Sequence, residues 1–204
     1  MDINLQEQDI FFTSIQLGKC SLNLDNITKD CYNLKERYPS VKRSNHNGYQ
    51  LDIEIKYFEE NNIPGLDEVK NFLTSLADYY NNYFQLTNNR KIVLSNFWIN
   101  INNKTASNAP HTHPGAFLSG VLYIHNSEVS SIKFLNNNIS ESQHWANYLL
   151  EDIKRFPKLS NTFEITPEVN TFIIFTGVQT HYVETNTSDK DRISIAFNFG
   201  IVSK

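Results

Sequence analysis

Ile92-Val93-Leu94-Ser95-Asn96-Phe97-Trp98-Ile99-Asn100-Ile101 carries two interleaved patterns. Phe97, Ile99 and Ile101 alternate with Asn96, Trp98 and Asn100. A period of two is that of a β-strand, with one apolar face and one mixed face. Downstream, shorter stretches read as strands at residues 117–124, 132–135, 163–166, 171–175, 181–183 and 192–199. Pro114-Gly115, Thr176-Gly177 and residues 136–138, 168–170 and 186–191 separate them as turns. Residues 143–155 read as a short helix or a lid-like insertion.

Upstream the grammar is mostly helical. Leu24, Ile27, Cys31, Leu34 and Tyr38 recur at helical spacing, and Pro39 ends the run. After an expected turn at Pro64-Gly65, Leu66, Val69, Phe72, Leu73, Leu76, Tyr79, Tyr80 and Tyr83 form a longer apolar stripe. That stripe reads as core packed on a sheet. A strand is expected at residues 10–17 and a polar loop at residues 44–48. Helices followed by at least seven strands make an α+β chain, whose C-terminal half closes into a sandwich or barrel with helices over one face.

The chain has 204 residues and no Pro/Gly/Ser-rich linker, so one domain is expected. Residues 1–90 would be the helical buttress with an N-terminal strand, and residues 91–204 the barrel. A net charge of −4 argues against a nucleic-acid partner, which needs a positive face. No stretch has the length of a transmembrane helix, and the N-terminus lacks a basic segment followed by an apolar run. No membrane partner and a cytoplasmic location are therefore expected. Cys20 and Cys31 read as reduced, unrelated thiols.

Three of the six histidines fall where strands begin or end. His111 and His113 precede the strand at 117–124, and positions i and i+2 of an extended segment share a face. His181 opens a later strand. Neutral imidazoles suit Fe, Zn, Cu and Ni, so the three form a candidate metal site; rim polarity is the alternative. His46, His125 and His144 lack such spacing and read as surface or structural. Eleven residues past His181, Arg192 stands on an otherwise apolar strand. A buried guanidinium requires an anion, and its planar fork matches a carboxylate. Ser194 shares its face. The alternative is a structural ion pair with Asp189 or Asp191.

An HxD/E motif, a distant second histidine and R-x-S about ten residues later mark the 2-oxoglutarate- and Fe(II)-dependent oxygenases. The chain resembles that superfamily, and in particular its 2OG-Fe(II) oxygenase group, at residues 97–102, at His111-Thr112-His113-Pro114, at residues 118–124, at residues 175–181 and at residues 192–198. Arg43-Ser44-Asn45 is a weaker echo.

The resemblance implies a double-stranded β-helix (jelly roll) with helices outside one sheet. It implies Fe(II) on His111 and His181, and 2-oxoglutarate held by Arg192 and Ser194 with a hydrogen bond from Tyr123. A packed core tyrosine is the other reading of Tyr123. The implied reaction hydroxylates a small molecule or a protein side chain, consumes O2, and releases succinate and CO2.

One position departs from the family pattern: His113 stands where the carboxylate ligand belongs. Glu184 and Asp191 have the wrong spacing to replace it. His113 is the expected third ligand; the alternative is a metal with two protein ligands and water or another anion in the gap. A cupin-type metal enzyme without 2-oxoglutarate, which gives Arg192 and Ser194 no role, and a non-catalytic binding or structural protein on the same barrel remain alternatives. Residues 104–109 and 136–157 are the expected specificity loops. The substrate and the oligomeric state are not legible.

Overall fold

The computed structural model describes residues 13–86, 89–125, 130–137 and 162–204. The N-terminal part contains β1 (Gln16–Lys19), α1 (Leu24–Arg37), β2 (Asn45–His46), β3 (Tyr49–Asp52), α2 (Ile55–Glu60) and α3 (Pro64–Phe84). Then come β4 (Arg90–Asn102), β5 (Ser107–His111), β6 (Leu118–His125) and β7 (Ile132–Leu135). The last elements are β8 (Thr162–Ile165), β9 (Thr171–Thr176), β10 (His181–Val183) and β11 (Arg192–Ser203).

The strands form two antiparallel sheets, ordered β1-β9-β6-β11-β4-β3 and β2-β5-β10-β7-β8. The architecture is the expected α+β double-stranded β-helix. The helices pack outside the larger sheet. Ile27, Cys31 and Leu34 of α1 and Leu66, Val69, Leu73 and Tyr80 of α3 share one core with Ile99, Ile101, Ile193, Ile195, Phe197 and Phe199.

Local chemistry explains the helix ends. The Asn23 side chain accepts from the Asn26 N–H at 3.1 Å and caps α1. Pro64-Gly65, expected as a turn, instead begins α3. Proline lacks the N–H that the first helical position leaves unpaired anyway. The Asp30 carboxylate of α1 accepts from the N–H groups of Gly65 (2.7 Å) and Leu66 (3.2 Å), which ties the helices together. A Cβ at position 65 would strike the α1 backbone at Asn26 and Ile27, so glycine is required there by close approach.

Other expectations shift. The strand expected at 10–17 is confined to Gln16–Lys19, with residues 10–12 outside the described residues. The loop at 44–48 contains β2, and the expected loop at 104–109 contains the start of β5. β11 runs past residue 199 to Ser203 because it pairs with β4 along its whole length, from Arg192↔Asn102 to Ser203↔Arg90. α2 and β3 were not anticipated; each is too short to display a period. The segment 143–155 lies outside the described residues. Cys20 and Cys31 are both free. Among the described residues, no helix is long and apolar enough to cross a membrane.

Candidate metal and co-substrate site

His111 closes β5 and His181 opens β10, and these two strands pair with the histidines directly opposite each other. His113 lies two residues beyond the end of β5. Its loop is pinned by the His113 N–H donating to the Gly177 carbonyl at 2.7 Å. Position 177 has no room for a Cβ against the Ala116 and His113 carbonyls, so its glycine lets the loop close. The three ring centroids lie 4.3 to 5.2 Å apart, and one ring nitrogen from each comes within 4.8 Å of the others.

The surroundings select the tautomers. His111 Nδ1 faces the Ala109 carbonyl at 2.7 Å and His181 Nδ1 faces the Gln179 carbonyl at 2.9 Å. A carbonyl only accepts, so each Nδ1 carries the proton and each Nε2 keeps its lone pair. His113 Nδ1 donates to Asn198 Oδ1 at 2.8 Å, and the Asn198 amide is oriented by its own Nδ2 donating to Asn96 Oδ1 at 3.0 Å. Burial lowers all three imidazoles, His181 to about 3 and His113 to about 4. They are therefore neutral at pH 7, the form that ligates. Among the described residues, no acid joins this cluster. Glu184 pairs with Lys133 at 2.6 Å, and Asp191 accepts from the Tyr32 hydroxyl at 2.8 Å. Three convergent neutral nitrogens suit a divalent first-row metal.

A cavity of about 530 Å³ separates the two sheets, with the three histidines on one wall and Arg192 and Ser194 on the other. Arg192 is 1 % exposed, and its Nε and Nη2 have no hydrogen-bond partner. Neither acid of the ion-pair alternative reaches it: Asp189 pairs with Lys104 at 2.8 Å, and Asp191 is engaged by Tyr32. Burial pulls the guanidinium down from its ordinary value. Tyr123 sits behind it, with the guanidinium carbon 5.2 Å from the ring centroid, and does not itself line the cavity. The Tyr123 hydroxyl is buried and unpartnered as well; burial raises it and the Arg192 charge opposes the rise. An anionic ligand is what this arrangement lacks. A carboxylate fits it.

The structure adds residues that sequence reasoning did not single out. Asn198 and Ser119 orient His113, and Trp98 packs its ring edge-on against His113 at 5.4 Å between centroids. Asn198 and Trp98 were detectable, since each shares a strand face with a residue that was noticed. His125 is exposed and bound to the Asp191 carbonyl, His46 is exposed, and His144 lies outside the described residues.

A family model described as "Putative 2OG-Fe(II) oxygenase" matches residues 96–198. No curated protein matches the sequence. Among solved structures, a Pseudomonas putida prolyl-4-hydroxylase superposes with a TM-score of 0.63 at 11% identity, covering 92% of this chain and 92% of that one. A Trichoplax adhaerens prolyl hydroxylase, solved with a hypoxia inducible factor peptide fragment, gives 0.63 at 11% identity, covering 91% and 83%. HygX from Streptomyces hygroscopicus, solved with nickel and 2-oxoglutarate, gives 0.56 at 12% identity, covering 92% and 83%. At these identities the likeness concerns the fold.

Proposed function

The chain belongs to the 2OG-Fe(II) oxygenase family, and from that membership we propose that His111, His113 and His181 hold the Fe(II) while Arg192 and Ser194 receive the far carboxylate of 2-oxoglutarate, with Tyr123 supporting the guanidinium from behind. The enzyme uses Fe(II), 2-oxoglutarate and O2. When bound, these supply oxidative decarboxylation to succinate and CO2 coupled to oxygen transfer onto a substrate C–H bond. The observation that carries the assignment of the co-substrate residues is the buried, unpaired guanidinium of Arg192 across the cavity from three neutral imidazoles. The cupin-type reading gives that charge no partner.

The chain's own residues then have separable tasks. Ala109 and Gln179 carbonyls hold His111 and His181 with lone pairs inward, so ligation displaces no proton. Asn198 does the same for His113. The Arg192 fork sets the depth of 2-oxoglutarate, and Ser194 adds a hydroxyl on the same face. A neutral third ligand leaves the metal one unit more positive than the usual carboxylate would, which favours a dianionic co-substrate.

The substrate is a small molecule or a peptide side chain. HygX is also solved with hygromycin B, and the Trichoplax enzyme with a peptide, so this fold accommodates both in those proteins. We read residues 1–204 as one domain; β1 pairs with β9 and β3 with β4, in keeping with that. A cytoplasmic location is in keeping with the two free thiols.

Anaerobic titration with Fe(II) and then 2-oxoglutarate tests the ligand set, read by iron stoichiometry and the charge-transfer band. Wild type should bind one iron and develop the band. Loss of a supporting hydrogen-bond partner weakens metal by about 10–100-fold; His113→Ala should exceed that, and His113→Asp should retain iron. Near-wild-type iron and band in His113→Ala would refute the three-histidine face. Succinate formation coupled to O2 uptake checks the activity.

A further inference from the structure

Gln50 and Asn100 are 5 % and 6 % exposed and line the cavity, and among the described residues no hydrogen bond engages either carboxamide. They are register partners on β3 and β4. Asn100 lies opposite Ser194 on β11, and Ser194 opposite Tyr123 on β6. One level of the sheet thus reads Gln50, Asn100, Ser194, Tyr123. Strands are spaced about 4.8 Å apart, so Gln50 stands roughly 10 Å to the side of the β11 strand. The next level places Trp98 beside Asn100 and opposite Asp52.

The charges over this patch cancel. Arg43 and Asp52, both at the cavity wall, pair at 3.6 Å. Arg192 is committed to the co-substrate on the reading above, and this inference rests on that reading. A second anion would therefore find no free cation among the described residues of this patch, and an apolar chain would strip water from two carboxamides that open onto the cavity and have no protein partner there, which is costly. Each carboxamide offers a donor and an acceptor.

We infer that Gln50 and Asn100, flanked by Trp98, form the primary-substrate subsite and take a neutral amide group of the substrate, which donates to one carboxamide and accepts from the other. A site built on polar groups rejects ligands that lack them. The subsite lies beside the co-substrate, on the β3–β4 side of the sheet, within the cavity that also holds the three histidines.

The test uses Zn(II)-loaded protein saturated with 2-oxoglutarate and ligand-observed NMR. Butyramide and N-acetylalanine N-methylamide are the amide probes, distinguishing a primary carboxamide from a peptide amide. Butyrate and 2-pentanone are the matched acid and acceptor-only controls. At least one amide should bind more tightly than both controls. Gln50→Leu should weaken it at least tenfold while the 2-oxoglutarate Kd, measured in the same samples by calorimetry, changes less than twofold. Should Gln50→Leu fail to fold, Gln50→Glu keeps the shape and should lose the amide likewise. Absence of amide binding, equal binding of butyrate or 2-pentanone, or a loss of 2-oxoglutarate affinity in the Gln50 variant would overturn the inference. Failure of wild type to bind 2-oxoglutarate at all would instead sink the reading of Arg192.

Discussion

On β11, Ile193, Ile195, Phe197 and Phe199 face the helices, whereas Arg192, Ser194, Ala196 and Asn198 face the cavity. β4 repeats the division, with Phe97, Ile99 and Ile101 outward to the helices and Asn96, Trp98 and Asn100 inward. The helix side is dry and apolar, so burial there stabilises the fold in proportion to area. The cavity side holds the buried Arg192 charge and polar side chains such as Asn100 and Ser194, which burial penalises unless a partner satisfies them. The stabilising core and the candidate ligand site thus sit on opposite faces of the same strands, one residue apart.

Substitutions on the two faces should separate these properties. Phe197→Ala removes a fully buried ring from the helix face and should cost roughly 3–5 kcal/mol of stability in denaturant unfolding. Its folded fraction should keep wild-type 2-oxoglutarate affinity. A collapse of that affinity without loss of stability would break the division.

Arg192→Met should do the reverse. Affinity for 2-oxoglutarate in the Mn(II)-loaded protein should fall on the order of 100-fold by calorimetry, about 2.7 kcal/mol. Metal affinity should be spared. The metal-free protein should melt higher, by about 2–4 °C for each kcal/mol released when the unpaired charge is removed. A lower melting temperature would mean that Arg192 has a stabilising partner in the empty protein.

A third separation is a pH slope. His113 and His181 are held at about 4 and about 3, below the ordinary imidazole value of 6.5, chiefly by burial. Below pH 6.5 the unfolded chain takes up protons that the folded chain refuses. Stability of the metal-free protein should be full above that pH and fall steadily toward pH 4. Because the slope belongs to the cavity face, Phe197→Ala should keep it and His181→Gln should make it shallower, as read by melting temperature against pH.

Much of this division was legible in the linear chain. The alternation at residues 96–101 and 193–197 separates two faces without any coordinates, since a strand's side chains reverse at every residue. Arg192 stood out because an apolar strand does not carry an unpaired charge without a ligand. The histidine spacing marked the candidate metal residues for the same reason, a residue type out of keeping with its neighbours. Gln50 was not legible: β3 has four residues, too few to show a period, and glutamine near a surface loop is ordinary. The turn expected at Pro64-Gly65 failed because the same dipeptide suits a helix start once Asp30 supplies an acceptor from another helix.

What the sequence determined by itself, then, is which residues share a face and which of them need a partner, because both follow from local period and residue chemistry. What the tertiary structure alone decided is who meets whom. His181 lies opposite His111 only because β5 and β10 pair, and Arg192 has no carboxylate partner because it is buried toward the cavity while Asp189 and Asp191 engage Lys104 and Tyr32 elsewhere. Strand pairing and charge partnering join residues distant in the chain, and no local period encodes them.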